Sequence, residues 1–237
     1  MNTEKVKLLV HTVQELSLAR NIDTITGIVR RAARKLTAAD GASFVLREND
    51  MCYYADEDAI EPLWKGQHFP MSICISGWTM MHKQGAVVED IYADKRVPIA
   101  IYRPTFVKSM AMVPIRTMDP IGAIGAYWAH QHAPTDEEMV LLQSLADITS
   151  VSIENVYAYH ELKEQNQKLY NIAHLQSHQV RVPITQIQGI YNLFNFEEFH
   201  DPQNADLLHL LKSTADSLDT LVRDISQMTN SLKVPRL

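Results

Sequence analysis

Cysteine is nearly absent from this sequence. Its 237 residues hold two, Cys52 and Cys74. Two thiols cannot build a disulfide framework, and they suit a reducing cytosol. Glycine is sparse as well: eight residues, scattered, with no glycine-rich loop of the kind that cradles nucleotide phosphates. No apolar run reaches the roughly 18 residues of a membrane span. The first residues, MNTEKVKLLVHTVQEL, are amphipathic and carry acids, unlike a signal peptide. No Lys/Arg cluster offers a footprint for phosphates, and the formal net charge is -6, so no nucleic-acid surface is expected. The expectation from these absences is a cytoplasmic protein with no disulfides, no membrane span and no nucleic-acid partner.

What is present is ordinary for a soluble chain: 46% hydrophobic and 21% charged residues. The length allows one or two domains with a real core. Residues 3–19 and 22–38 carry helical periodicity. In the second, Ile22, Ile25, Ile28, Val29, Ala32, Ala33 and Leu36 form one broad stripe. GASFVLREND then alternates and ends in Asn49-Asp50, followed by MCYYADE, which reads as strand, tight turn, strand. SGWTMMHKQ reads as a short helix opened by Ser76 or Gly77, GAVVED as a short strand, and DKRVPIAIYRP as an irregular segment with a short helix. FVKSMAMVPI and IGAIGAYWAHQ read as two further strands, in which Gly122 and Gly125 signal close packing or a bulge.

Thr135-Asp136-Glu137-Glu138 is a capping box, and a very long helical pattern starts there. No Gly or Pro follows until Pro183, in AHLQSHQVRVPITQIQG. Proline inside a helix removes a hydrogen bond and clashes with the preceding turn, at a cost of about 3 kcal/mol, which suggests that a kink there is used. The pattern resumes with Ile184, Ile187, Tyr191 and Phe194, and NFEEFHDPQN breaks it. Leu207, Leu211, Thr214, Leu218, Leu221, Ile225, Met228 and Leu232 then recur at steps of four and three, a heptad seam with one polar position. A lone hairpin cannot bury so wide an apolar face. Two hairpins can, as a four-helix bundle, so a parallel homodimer is expected.

The hairpin resembles the dimerisation and phosphoacceptor domain of sensor histidine kinases. The block Ser177, His178, Gln179, Val180, Arg181, Val182, Pro183, Ile184 carries the resemblance, with Ile172, Ile187, Gly189 and Leu193 around it. The resemblance implies that His178 is the phosphoacceptor and that Pro183 kinks the helix just beyond it. A neutral imidazole is a nucleophile near pH 7. Arg181, one turn along, can attract phosphate. Two positions depart from the family pattern: Gln179 stands where an acid usually serves as base, and Val182 where Thr or Asn marks members that dephosphorylate their partner. His174 and His178 have helical metal-ligand spacing, but no further Cys, His or acid lies nearby in sequence, so no metal is expected. The family's ATP-binding domain and its Asn-rich box have no counterpart in SLKVPRL or elsewhere. The chain alone is expected not to use ATP: the kinase domain acts in trans or is missing from this chain. A response-regulator receiver domain is the implied acceptor partner.

The N-terminal part resembles GAF sensory domains, through its element order and through SICISGWTMMHKQGAVVEDIYADKR. The supporting motifs are Ser76-Gly77-Trp78, Gly85 to Asp90, and Gly122-Ala123-Ile124-Gly125. The resemblance implies an α+β fold, a central antiparallel sheet with helices on one side and a ligand pocket on the other. Cys74, Trp78, Tyr102, Met112, Tyr127 and Trp128 are the candidate lining. No cofactor is evident, and an unknown small-molecule ligand is the expectation. A covalent bilin would want a histidine beside Cys74, which is absent. A haem would want an axial ligand, for which His68 and His82 are free. Tyr92, Asp94 and Arg96 read as surface loop.

The expected organisation is a GAF-like sensory domain over 1–155, a coiled-coil helical linker over 156–174 and the phosphoacceptor hairpin over 175–237. The leading function is a two-component sensor in which the GAF domain controls phosphoryl transfer at His178. The alternative is a dimeric GAF ligand-binding module without phosphotransfer. A third reading is a thiol enzyme that reduces free methionine sulfoxide; nothing in the sequence marks Cys52 or Cys74 as activated by a neighbouring cation.

Overall fold

The stripe from Ile22 to Leu36 becomes a helix because both of its ends are capped. In the computed structural model, which describes residues 3–198 and 200–231 (without the side chains of 172–178 and 228–231), α1 spans Thr3–Leu18 and α2 spans Ile22–Thr37. Asn21 accepts from the Thr24 N–H at 2.8 Å, and Ala38 closes α2 in the left-handed region at φ 50. The chain divides into two units, Met1–His160 and Glu161–Leu237.

In the first unit a six-stranded antiparallel sheet runs in the order β3-β2-β1-β6-β5-β4. Its strands are β1 (Gly41–Glu48), β2 (Met51–Ala59), β3 (His68–Pro70), β4 (Ala86–Val88), β5 (Ser109–Ile115) and β6 (Gly122–Trp128). Asn49, at φ 56, makes the tight turn between β1 and β2, a conformation asparagine tolerates. β3 escapes the sequence reading. It is a three-residue edge strand ending in proline, too short to show alternation.

Each face of the sheet carries its own core. Ala42 and Phe44 of β1, Ala111, Val113 and Ile115 of β5, and Ile124, Ala126 and Trp128 of β6 pack under α1, α2 and the first turns of α5 (Asp136–Leu193). Their strand neighbours Val45, Met110, Met112, Ala123 and Tyr127 point the other way. They pack under a 3-10 turn (Met71–Ile73), α3 (Ile75–His82) and α4 (Ile99–Tyr102). Every residue of β5 and β6 is buried.

A bulge in β2 decides which side chains reach which face. Phe44 pairs with Asp56 but Val45 pairs with Tyr54, so Ala55 is the extra residue. Before it, Cys52 and Tyr54 face the α3 side. After it, Asp56 and Asp58 face α2, where they meet Arg30 at 2.9 Å and Arg34 at 2.8 Å. Without the bulge all four would share one face.

The capping box forms as its spacing predicts. Thr135 Oγ1 accepts from the Glu138 N–H at 3.2 Å, and Glu138 Oε2 accepts from the Thr135 N–H at 2.8 Å. α3 begins at Ile75, ahead of the expected opening at Ser76 or Gly77, and Cys74 is its cap.

In the second unit α5 continues through Pro183 to Leu193, and α6 spans Pro202–Ser231. The connection is a polar knot. The Asn204 amide donates to the carbonyls of Asn195 and Glu198 at 3.0 and 3.1 Å, and its oxygen accepts from the Asn195 N–H at 3.0 Å. Asp201 caps α6 by accepting from the Gln203 N–H at 2.9 Å, with Pro202 following it. Ile187, Ile190, Phe194, Leu207 and Leu211 line an apolar cleft of about 250 Å³ between the helix ends. Of the heptad seam, Leu207, Leu211, Thr214, Leu218, Leu221 and Ile225 are at least partly covered, while Leu208, Leu210 and Val222 are about half exposed. The side chain of Met228, and Leu232 entirely, lie outside the described residues. No helix among the described residues is long and apolar enough to cross a membrane.

Candidate functional site

The face of the sheet under α3 and α4 carries a chamber filled by its own packed aromatic side chains and threaded by polar groups. Glu57 builds its wall. Its carboxylate accepts from the backbone N–H groups of Leu63 and Trp64 at 2.8 Å and of Lys65 at 2.9 Å. That turn seats Trp64 in the chamber, 4% exposed, with its ring against Tyr102 (centroids 4.7 Å apart), Tyr54 (5.5 Å) and Tyr127 (5.6 Å). The contacts are edge-on, the arrangement aromatic quadrupoles favour.

Gly125 makes room for Tyr127. A Cβ at that position would meet the Tyr127 hydroxyl at 2.6 Å and the Met112 methyl at 2.7 Å. Tyr127 shares a 2.7 Å hydrogen bond with Ser43 on the neighbouring strand. Burial pushes the phenols of Tyr54, Tyr102 and Tyr127 well above their usual range, so all three are neutral donors. The buried Tyr102 hydroxyl and Thr79 Oγ1 have no hydrogen-bond partner among the described residues. Unpaired buried polar atoms are rare and mark a place where a polar ligand atom would be stabilised.

A second polar thread runs along the start of α3. The Tyr54 hydroxyl meets Ser76 Oγ at 3.1 Å, and Ser76 Oγ donates to Cys74 Sγ at 3.2 Å. Cys74 Sγ also accepts from the Gly77 N–H at 3.4 Å, capping the helix. Cys52, on β2, belongs to the same core. It pairs with Phe69 across β2 and β3, and the chain turns from there through Met71–Ile73 to Cys74. Both thiols are free and buried. The nearby Cys52 thiol, with Ser76 and the Gly77 N–H, lowers the Cys74 thiol to about 7 against the opposing effect of burial. Cys52 shifts strongly upward, from the nearby Cys74 thiol and from burial. The sequence shows no cation beside either thiol. The groups that lower Cys74 are instead oriented donors at a helix start.

The structure brings Cys74, Tyr102, Met112 and Tyr127 together on the chamber face. Trp78 stands at its edge, stacked on His82 at 4.3 Å and under the Arg96 guanidinium at 4.7 Å. Trp128 lies on the other face, in the core under the helices and against His132. Tyr127 and Trp128 are consecutive on one strand, so only one of them can face the chamber. The sequence reading missed Tyr54, Trp64 and Ser76. Trp64 sits in a loop without periodicity, and only the Glu57 contacts place it. His68 and His82 stay outside the chamber: His68 stacks on Tyr53 and bonds Glu48 at 2.9 Å, and His82 bonds the Trp78 carbonyl at 2.9 Å. Among the described residues no group of three or more His, Cys, Asp or Glu is placed to hold a metal ion.

In the second unit the side chain of His178 lies outside the described residues, although its backbone is part of α5. Gln179 and Arg181 are exposed, and Val182 is 48% exposed. Pro183 is buried and deprives the Gln179 carbonyl of its helical donor. Thr185 Oγ1 donates to the Arg181 carbonyl at 2.9 Å, a side-chain bond that often accompanies helix bending.

No curated protein matches the chain. Among solved structures, the fold is similar to the GAF domain of an Acinetobacter phosphoenolpyruvate-protein phosphotransferase (TM-score 0.59, 15% identity, 68% of this chain and 99% of that one). It is also similar to free methionine-R-sulfoxide reductase from Neisseria meningitidis, solved with its substrate (TM-score 0.57, 18% identity, 67% and 95%). A third is the phycocyanobilin-bound GAF domain of a cyanobacterial phytochrome (TM-score 0.56, 16% identity, 68% and 99%). At these identities the likeness is one of fold. The family described as GAF domain matches residues 19–154, the stretch from the end of α1 to the first turns of α5 that encloses both faces of the sheet, and the chain belongs to that family.

Proposed function

We propose that this chain is a two-component sensor in which the GAF domain controls phosphoryl transfer at His178. The carrying observation is the block Ser177-His178-Gln179-Val180-Arg181-Val182-Pro183-Ile184, set in a helix that continues past its proline and is followed by a second helix with a heptad seam. An imidazole nitrogen of His178 attacks the γ-phosphorus of ATP held by a kinase domain outside these 237 residues, and ADP leaves. The phosphoramidate then passes to an aspartate of a receiver domain. Exposed Arg181 offers a cation for the phosphate. The half-exposed Leu208, Leu210 and Val222 are surface that a second hairpin would cover, giving a homodimeric four-helix bundle. The aromatic chamber is the small-molecule site, with Tyr102 and Thr79 as its open polar groups.

Gln179 favours a second reading, a dimeric GAF regulatory module without phosphotransfer. Its amide orients an imidazole but takes no proton.

The test is acid-labile phosphate on the full chain, with labelled ATP, alone and with lysate of the source organism, beside His178→Gln. Label on the wild type only, and only with lysate, supports transfer in trans. An unlabelled wild type in both arms selects the regulatory module.

A further inference from the structure

Residues 60–67 lead from β2 to β3. All are exposed except Leu63, which is half-buried, and Trp64, which lies inside the chamber. The ties of this segment gather on two neighbouring acids. The Glu57 carboxylate accepts from the N–H groups of Leu63, Trp64 and Lys65, and Lys65 Nζ meets Asp56 at 2.7 Å. Gly66 turns the chain at φ 83, a left-handed conformation that glycine adopts freely, and its N–H donates to the Tyr54 carbonyl at 2.8 Å.

Trp64 matches the chamber in shape but not in polarity. Its ring meets Tyr102, Tyr54 and Tyr127 edge-on. The buried Tyr102 hydroxyl nevertheless has no hydrogen-bond partner among the described residues. An indole cannot supply one, because its nitrogen only donates. A ring of the same size with an acceptor would fill the same space and recover the lost bond. The walls are aromatic rings and neutral phenols, which favours an uncharged ring.

We propose that Trp64 is a displaceable occupant of the chamber, holding the place of a flat, uncharged heteroaromatic ligand with a hydrogen-bond acceptor for Tyr102, and that Glu57 is the latch on residues 60–67. This rests on the reading of the chamber as the small-molecule site. Ligand entry swings Trp64 out, breaks the N–H bonds to Glu57 and frees the segment before β3. The latch sets the apparent affinity, since the chamber is competent only in the fraction of molecules whose segment is open.

The experiment titrates the full chain at neutral pH with benzimidazole, a flat ring with an acceptor nitrogen, and with indole, which has none. Ligand-observed NMR gives the dissociation constants, and hydrogen exchange follows the amides of residues 60–67. Benzimidazole is expected to bind the wild type and to speed exchange at Leu63, Trp64 and Lys65 at least about tenfold. Glu57→Gln is expected to tighten benzimidazole at least about tenfold, and Trp64→Ala further still. Benzimidazole should bind about fivefold or more tighter than indole, and Tyr102→Phe should erase that preference. Wild type and Glu57→Gln decide the matter if Trp64→Ala fails to fold. Binding with exchange unchanged, or faster exchange in Glu57→Gln with affinity unchanged, would overturn the latch. Rings that bind Trp64→Ala but neither the wild type nor Glu57→Gln would make Trp64 fixed core, overturning the displacement and leaving the chamber reading in place. Neither ring binding any of these proteins would overturn both.

Discussion

At Cys74 two donors, the Ser76 hydroxyl and the Gly77 N–H, converge on one sulfur, and their effect is measurable. Because the thiol is held near 7, below its usual value, alkylation by iodoacetamide should rise through about pH 7, whereas an ordinary thiol responds near pH 8.5. A depressed pKa adds stability above the unfolded thiol's pKa, and that stability is lost as pH falls through about 7. Cys74→Ser should flatten the stability profile in that window. Gly77 sits one turn away for a steric reason: a Cβ there would lie 2.0 Å from the Met71 carbonyl oxygen. Gly77→Ala should therefore push α3 off the 3-10 turn, costing roughly 2–3 kcal/mol in denaturant melts and slowing Cys74 alkylation. Glu57 is the other single residue with wide reach. Glu57→Ala strands three N–H groups and should cost about 2–3 kcal/mol, with a red shift of tryptophan emission as Trp64 loosens.

Among the elements, the start of α5 and the turn before α6 depend on side-chain bonds. Burial opposes the charge on Glu138, but the Thr135 N–H, His132 and the Thr135 hydroxyl outweigh it and hold the carboxyl below its usual range. The resulting stability is present above the unfolded carboxyl pKa and disappears as pH falls through the folded one. Acid titration followed by circular dichroism should show this loss in the wild type, and Glu138→Gln should remove the dependence in that window. At the turn, Asn204 is 2% exposed and satisfies three backbone groups. Asn204→Ala should cost about 2 kcal/mol, read as a lower melting temperature of the hairpin. The elements most legible in the sequence were those with local causes. The stripe of α2, the Asn49 turn and the capping box all follow from residues within a few positions of one another. β3 left no such mark, because three residues cannot display a period.

For the molecule as a whole, the two units carry different debts to their surroundings. The first buries two cores on one sheet. The second leaves Leu208, Leu210 and Val222 half exposed on α6, which fits the proposed homodimer. Sedimentation should show a dimer, and Leu208→Lys with Leu210→Lys should shift it toward monomer while the GAF domain keeps its melting transition. An unchanged sedimentation coefficient would remove the bundle from the proposal.

Local order needed nothing but the sequence. Helix lengths, the long breaker-free run to Pro183, the heptad seam and the phosphoacceptor-like block are all patterns of neighbours. The membership of the sheet faces was partly readable too, since adjacent Tyr127 and Trp128 cannot share a side. Tertiary structure alone decided the chamber. The bulge at Ala55 turns Cys52 and Tyr54 one way and Asp56 and Asp58 the other. Glu57 draws a patternless loop inward to seat Trp64. Cys52 and Cys74, remote in the chain, join one core as β2 pairs with β3 before α3 begins. Contacts of that kind are set by strand register and chain return, and no window of sequence contains both partners.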